Sequence, residues 1–201
     1  MDENLRAALA AVQKPGRYTG GEPGCVYKNK EEVELRFAFC FPDTYEVGMS
    51  FLGMKILYEI LNDLPNMWCE RAFMPWTDMK AEMERRRIPL YALESKDPLC
   101  RFDVVGFTLQ YELSYTNILA MLDLADIPLL SAERPEDAPI IVAGGPCVCN
   151  CEPLTDFIDL FMLGEGEVQL PEVCSIILAG RKAGLPKSEI LKNCARVPGV
   201  Y

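Results

Sequence analysis

Ile140-Ile-Val-Ala-Gly-Gly-Pro146 and the run that closes in Leu163-Gly-Glu-Gly-Glu167 each pass abruptly from apolar residues into glycines. Ile140 to Ala143 is too short for a helix and rich in β-branched residues, so it reads as a buried strand. The glycines let the backbone turn sharply, or approach a ligand with no side chain between. Two neighbouring strands that end this way build one crevice at the carboxyl edge of a parallel sheet, where open α/β folds bind ligands.

Working outward, the same alternation recurs. Strands are predicted over Val33–Phe41, Met67–Phe73, Asp103–Leu109 and Phe157–Leu163, with a short strand or extended piece over Leu90–Leu93. Helices are predicted from Asn4 to Val12, over Met49–Leu64, Thr77–Arg87, Thr116–Asp126 and Lys187–Cys194, and from about Pro171 to Ala183. Strands alternating with helices imply crossover connections, and so an α/β fold with a three-layer, doubly wound, mostly parallel sheet of about five strands. Three segments are expected: an N-terminal helix and glycine-rich arm over 1–32, an α/β domain over 33–185, and a short helix and linker over 186–201. The apolar tail Arg196-Val-Pro-Gly-Val-Tyr201 reads as chain that continues.

Composition excludes several chemistries. The formal net charge is −10, which argues against binding a phosphate backbone, and Glu84-Arg-Arg-Arg87 reads as a solvated helix end. There is no histidine, which removes imidazole catalysis, imidazole metal ligation and any Ser-His-Asp triad. Nine cysteines, an odd number, and a start at Met1-Asp-Glu-Asn4 without a secretory pattern read as reduced thiols of a cytoplasmic protein. No apolar stretch has the length of a membrane span, so no membrane partner is expected.

Three loops at predicted carboxyl ends carry the candidate site. Asp43, Tyr45 and Glu46 precede Gly48 after the first strand, where acidic residues either favour a helix start or contact a ligand. Thr108, Gln110, Tyr111 and Glu112 follow another strand. Gly144, Gly145 and Pro146, then Gly164 and Glu165, mark the close-approach turns, and the acids there favour a hydroxyl or amine partner over a phosphate. Cys147, Cys149 and Cys151 would all point to one side of an extended segment, but their spacing is not that of a zinc or iron–sulfur loop, so no metal site is assigned.

Lys14-Pro-Gly-Arg-Tyr18, Phe41-Pro-Asp-Thr-Tyr-Glu-Val-Gly-Met49, Asp103-Val-Val-Gly-Phe-Thr-Leu-Gln-Tyr-Glu112, Ala143-Gly-Gly-Pro146 and Gly164-Glu-Gly-Glu167 occur in that order. Together they resemble the N-terminal part of a group of radical S-adenosylmethionine (SAM) proteins, in which a cobalamin-binding-like domain precedes the radical barrel. The resemblance implies a flavodoxin-like sheet here. It also implies a full-length protein that cleaves S-adenosylmethionine reductively with a four-iron four-sulfur cluster on Cys-x-x-x-Cys-x-x-Cys. No three cysteines of this chain have that spacing, so the cluster and S-adenosylmethionine are expected only in a downstream barrel of the same polypeptide. Cobalamin domains carry Asp-x-His-x-x-Gly after the first strand; here Asp43 and Gly48 are present and Tyr45 stands at the histidine position. Gly144 and Gly145 match the paired glycines along the cobalamin nucleotide tail, and Thr108 the small hydroxyl residue.

Three functions follow. The first is an accessory domain without a complete active site, which caps the barrel. The second is a cobalamin binder with no protein ligand on cobalt. The third is a self-association module, a homodimer joined through the Arg17–Gly24 arm and the apolar tail.

Overall fold

The chain alternates between strands with two buried faces and helices with one. The computed structural model describes residues 3–201; Met1 and Asp2, which begin the 1–32 segment and the start read for a leader, lie outside the described residues. Strands β1 (Leu35–Phe41), β2 (Met67–Phe73), β3 (Val104–Thr108), β4 (Ile140–Gly144) and β5 (Leu160–Met162) form one sheet in the order β2-β1-β3-β4-β5. Every neighbouring pair of these strands is parallel. Apart from Arg36 and Gly144, each strand residue is buried, as expected where helices cover both faces. The result is a three-layer, flavodoxin-like α/β fold.

The helices are α1 (Glu3–Ala11), α2 (Tyr45–Ser50), α3 (Leu52–Asp63), α4 (Thr77–Arg86), α5 (Tyr115–Leu124), α6 (Gly166–Lys182) and α7 (Lys187–Cys194). The chain steps outward from β1 to β2 through α3, then reverses past β1 to β3 through α4. With right-handed crossovers, that reversal places α3 and α4 on opposite faces. α6 returns beneath the sheet to pack on α3, α7 packs on α6, and α1 packs on α4.

Three expectations change. The single helix over Met49–Leu64 is two, broken at Phe51, whose backbone is extended at φ −84° and ψ 114°. The Phe51 ring packs on Phe41 with centroids 5.7 Å apart, so burying the ring takes the backbone out of helical geometry. The helix expected from about Pro171 starts at Gly166, so Pro171 lies inside it and leaves the Glu167 carbonyl without its usual donor. The last strand shrinks to Leu160–Met162, because Asp159 turns its carboxylate back to accept from the Ile141 amide at 2.7 Å.

The N-terminal arm and the C-terminal tail each fold back onto the domain. Lys28 Nζ donates to the carbonyls of Asn62, Leu64 and Met67 at 2.6, 2.7 and 2.6 Å, closing the end of α3 with a charge favourable to a helix C-terminus. The tail pairs antiparallel with β5: the Phe161 and Tyr201 amides each donate to the other's carbonyl, at 2.7 and 2.8 Å, and the Leu163 amide donates to Gly199. The tail thereby covers the open edge of β5 within its own chain. All nine cysteines are free thiols.

Candidate functional site

The parallel register brings Thr108, Gly144 and Met162 level at the carboxyl ends of β3, β4 and β5. Residues paired in this way face the same side of the sheet. At Gly144 that side is open: a Cβ built there meets nothing closer than 3.5 Å. The space in front of it is a cavity of about 180 Å³, floored by the sheet and roofed by Phe51 and Leu57 of the α3 side and Leu170 of α6.

Glycines shape its mouth. Gly145 has φ +114°, and a Cβ there would stand 2.9 Å from the Leu109 carbonyl oxygen, so only glycine fits this turn. Gly164 lies against the Gln169 side chain, and a Cβ on it would meet Gln169 Nε2 at 2.8 Å. Gln169 Nε2 donates to the Pro198 carbonyl at 2.7 Å, which ties the mouth to the C-terminal tail. Gln169 Oε1 is buried and has no hydrogen-bond partner.

The residues expected from the sequence divide into two groups. Thr108, Gln110, Gly144, Gly145, Pro146 and Gly164 share the cavity wall, with Gln110 Nε2 donating to Thr108 Oγ1. Asp43, Tyr45, Glu46, Gly48, Tyr111, Glu112 and Glu165 do not line it. Glu165 is the residue before α6, and Glu167, in the first turn, faces the cavity as its one charged side chain among the described residues. Phe37, Phe39, Phe51 and Met162 also line the cavity and were not expected. The available signal was Gly106, a glycine within a buried strand, whose missing side chain receives the Phe37 ring.

The second group is a polar network beside the cavity. Tyr111 donates its hydroxyl to Asp43, bridging the loops after β1 and β3. Tyr45 donates to Glu22 Oε1 at 2.7 Å, and Arg17 Nε donates to Glu46 Oε1 at 2.8 Å. Gly48 serves packing, since a Cβ there would meet the Phe73 ring at 2.3 Å. Burial, and then the Glu22 carboxylate, push the Tyr45 phenol up to about 12.

Burial opposes ionisation of Glu22. Hydrogen bonds from Cys25 and Tyr45, its own backbone, and the Arg71 charge outweigh it and hold the carboxyl at about 2 against its ordinary 4.5. A depressed carboxyl stabilises the fold above its unfolded value and loses that contribution as pH falls through the folded one. The arm is therefore expected to loosen between pH 4.5 and about 2. Fluorescence of Trp68, whose indole donates to the Val26 carbonyl, follows this loosening, and Glu22→Gln flattens its pH dependence.

No imidazole reaches the cavity, and the Tyr45 hydroxyl is engaged by Glu22, so the loop after β1 offers no cobalt ligand. Pro146 starts a 3-10 turn over Pro146–Asn150, which undoes the one-sided row expected of Cys147, Cys149 and Cys151. Their exposures differ accordingly: half-buried, exposed and buried. Among the described residues no cluster of three or more His, Cys, Asp or Glu side chains is placed to hold a metal. The donor set for an iron–sulfur cluster does not fit this chain. No described helix is long and apolar enough to cross a membrane.

Over 131 residues the chain is 30% identical to an uncharacterized protein of Methanocaldococcus jannaschii. The match covers 65% of this chain and 24% of that protein, so the chain spans about a quarter of the curated relative it matches. No solved structure matches. The family described as radical SAM proteins, N-terminal, matches residues 53–201. With three-quarters of its length matched, including β3, β4 and β5 of the cavity wall, the chain belongs to the radical SAM N-terminal family.

Proposed function

We propose that this chain is a cap: an accessory domain, with 33–185 as its α/β body and 1–32 and 186–201 as flanks, whose carboxyl edge faces a radical SAM barrel further along the same polypeptide. The observation that carries this reading is the character of that edge. Val47, Leu52, Trp76, Leu113 and Val168 are large apolar side chains left exposed on the segments that follow β1, β2, β3 and β5, with Leu113 87% and Val168 68% exposed. Apolar side chains gathered on one edge mark a contact surface. The cluster and S-adenosylmethionine, bound in the barrel, would supply the radical chemistry. This chain would shape the crevice above them and exclude water from it.

Hydrogen exchange tests the reading. In the full polypeptide, the amides of 108–114 and 163–168 are expected to exchange more slowly than in this chain alone. Equal exchange in both overturns the cap.

One observation favours a second reading, a cobalamin binder. Gly144, Gly145 and Thr108, the positions that match the nucleotide-tail residues of cobalamin domains, do share the cavity wall. Such a binder would leave cobalt without a protein ligand. Retention of red hydroxocobalamin after desalting supports it, and a colourless protein rejects it.

A further inference from the structure

The carboxyl-edge cavity has a size and a polarity that together specify a class of ligand. We propose that it binds a planar, purine-sized heteroaromatic ring bearing an exocyclic amino group. The inference rests on the cavity alone and does not depend on what lies beyond the carboxyl edge.

Size comes first. At about 180 Å³ the cavity is somewhat larger than an apolar cavity of roughly 150 Å³ that holds benzene, so it admits one fused bicycle. Shape comes second. The floor is a sheet stripped of its side chain at Gly144, and the walls carry the rings of Phe37, Phe39 and Phe51. A flat ring meets those rings face or edge on.

Polarity decides the chemistry. Glu167 is the one charged group of the wall among the described residues, and a bound phosphate or carboxylate would be repelled by it. A carboxylate on the wall calls for an N–H donor. A pure hydrocarbon would take water from that carboxylate without supplying a donor, which weakens binding. Gly166 and Glu167, on the same wall, open α6, and their amides have no acceptor within the helix, so they suit ring nitrogens. A ring with nitrogens in it and an amino group on it satisfies both demands.

The test titrates this chain into 2-aminopurine and follows its fluorescence, with adenine, unsubstituted purine, dimethylbenzimidazole and benzene as competitors. Adenine and 2-aminopurine are expected to bind with Kd on the order of 0.1–1 mM, and the three rings without an amino group about tenfold more weakly. Gly144→Val, which fills the floor, is expected to abolish binding, and Glu167→Ala to weaken it about tenfold. No saturation by about 10 mM overturns the proposal. So does equal or tighter binding of dimethylbenzimidazole or benzene, which would make the cavity a general apolar hollow. If Gly144→Val does not fold, Glu167→Ala decides: unchanged affinity places the ring elsewhere and overturns the assignment.

Discussion

Asp159→Ala is expected to destabilise the protein by about 3–5 kcal/mol, the range for a buried charge stripped of its partner. The Asp159 side chain is fully buried and sits where β5 begins. It accepts from Ser131 Oγ, from the Ile141 amide at 2.7 Å and from Arg134 Nη1 at 3.2 Å, and Lys187 Nζ stands 3.1 Å away. Alanine leaves two cations facing one another, the fully buried Arg134 and the 11% exposed Lys187 side chain, with no carboxylate between them. Arg134 cannot simply turn to water, because its Nε and Nη2 are tied to the carbonyls of Pro128, Leu129 and Phe157. Urea denaturation should show a lower midpoint at unchanged slope. In the Arg134→Met/Asp159→Leu double variant the loss should be smaller than the sum of the two single losses, since Arg134 and Asp159, the fully buried pair, then leave no unpaired charge of their own. A loss below about 1 kcal/mol for Asp159→Ala would mean that water reaches the network.

Gly145→Ala should cost about 3 kcal/mol and disturb the cavity at the same time. A φ of +114° with ψ near 180° belongs to a region that is essentially glycine's alone, worth roughly 1–3 kcal/mol to any other residue. The added Cβ would also press on the Leu109 carbonyl oxygen and amide nitrogen at 2.9 and 3.0 Å, which are backbone atoms and cannot swing aside. Leu109 is itself held by Gly144 and Cys147 through backbone hydrogen bonds of 2.7 and 3.0 Å, so relief must move the loop that carries Thr108 and Gln110. Gly144→Ala is the control. Its Cβ makes only ordinary van der Waals contact with Met162, none closer than 3.5 Å, so its effect on stability should stay within about 0.5 kcal/mol. Thermal denaturation of the pair checks both, and equal midpoints would refute the steric argument.

The cavity wall was legible where a local rule sufficed. Gly144 and Gly145 end a β-branched run, and any parallel sheet must set such a turn at its carboxyl edge. Thr108 and Gln110 follow β3 for the same reason. Asp43, Tyr45 and Glu46 have equally good local credentials, yet their side chains are satisfied away from the cavity by Tyr111, Glu22 and Arg17. Those partners lie 68, 23 and 29 residues away, a range over which no periodicity or motif speaks. Phe51 shows the opposite failure. Its place in a helical pattern concealed that its ring is worth more against Phe41 than its backbone is in a continuous helix.

By itself the sequence determined the alternation of strands and helices, and with it a parallel sheet, right-handed crossovers and a carboxyl edge rich in glycine. Those follow from properties of the local chain: side-chain period, β-branching, and the absence of a Cβ. Its lack of histidine likewise ruled out imidazole chemistry before any fold was known. Only the tertiary structure decided that Glu167 and not Glu165 faces the cavity, that the tail closes the edge of β5, and that Gln169 Oε1 is left without a donor. Each of these depends on which distant segments meet, and hydrogen-bond partners and burial are properties of contacts between segments rather than of the segments themselves.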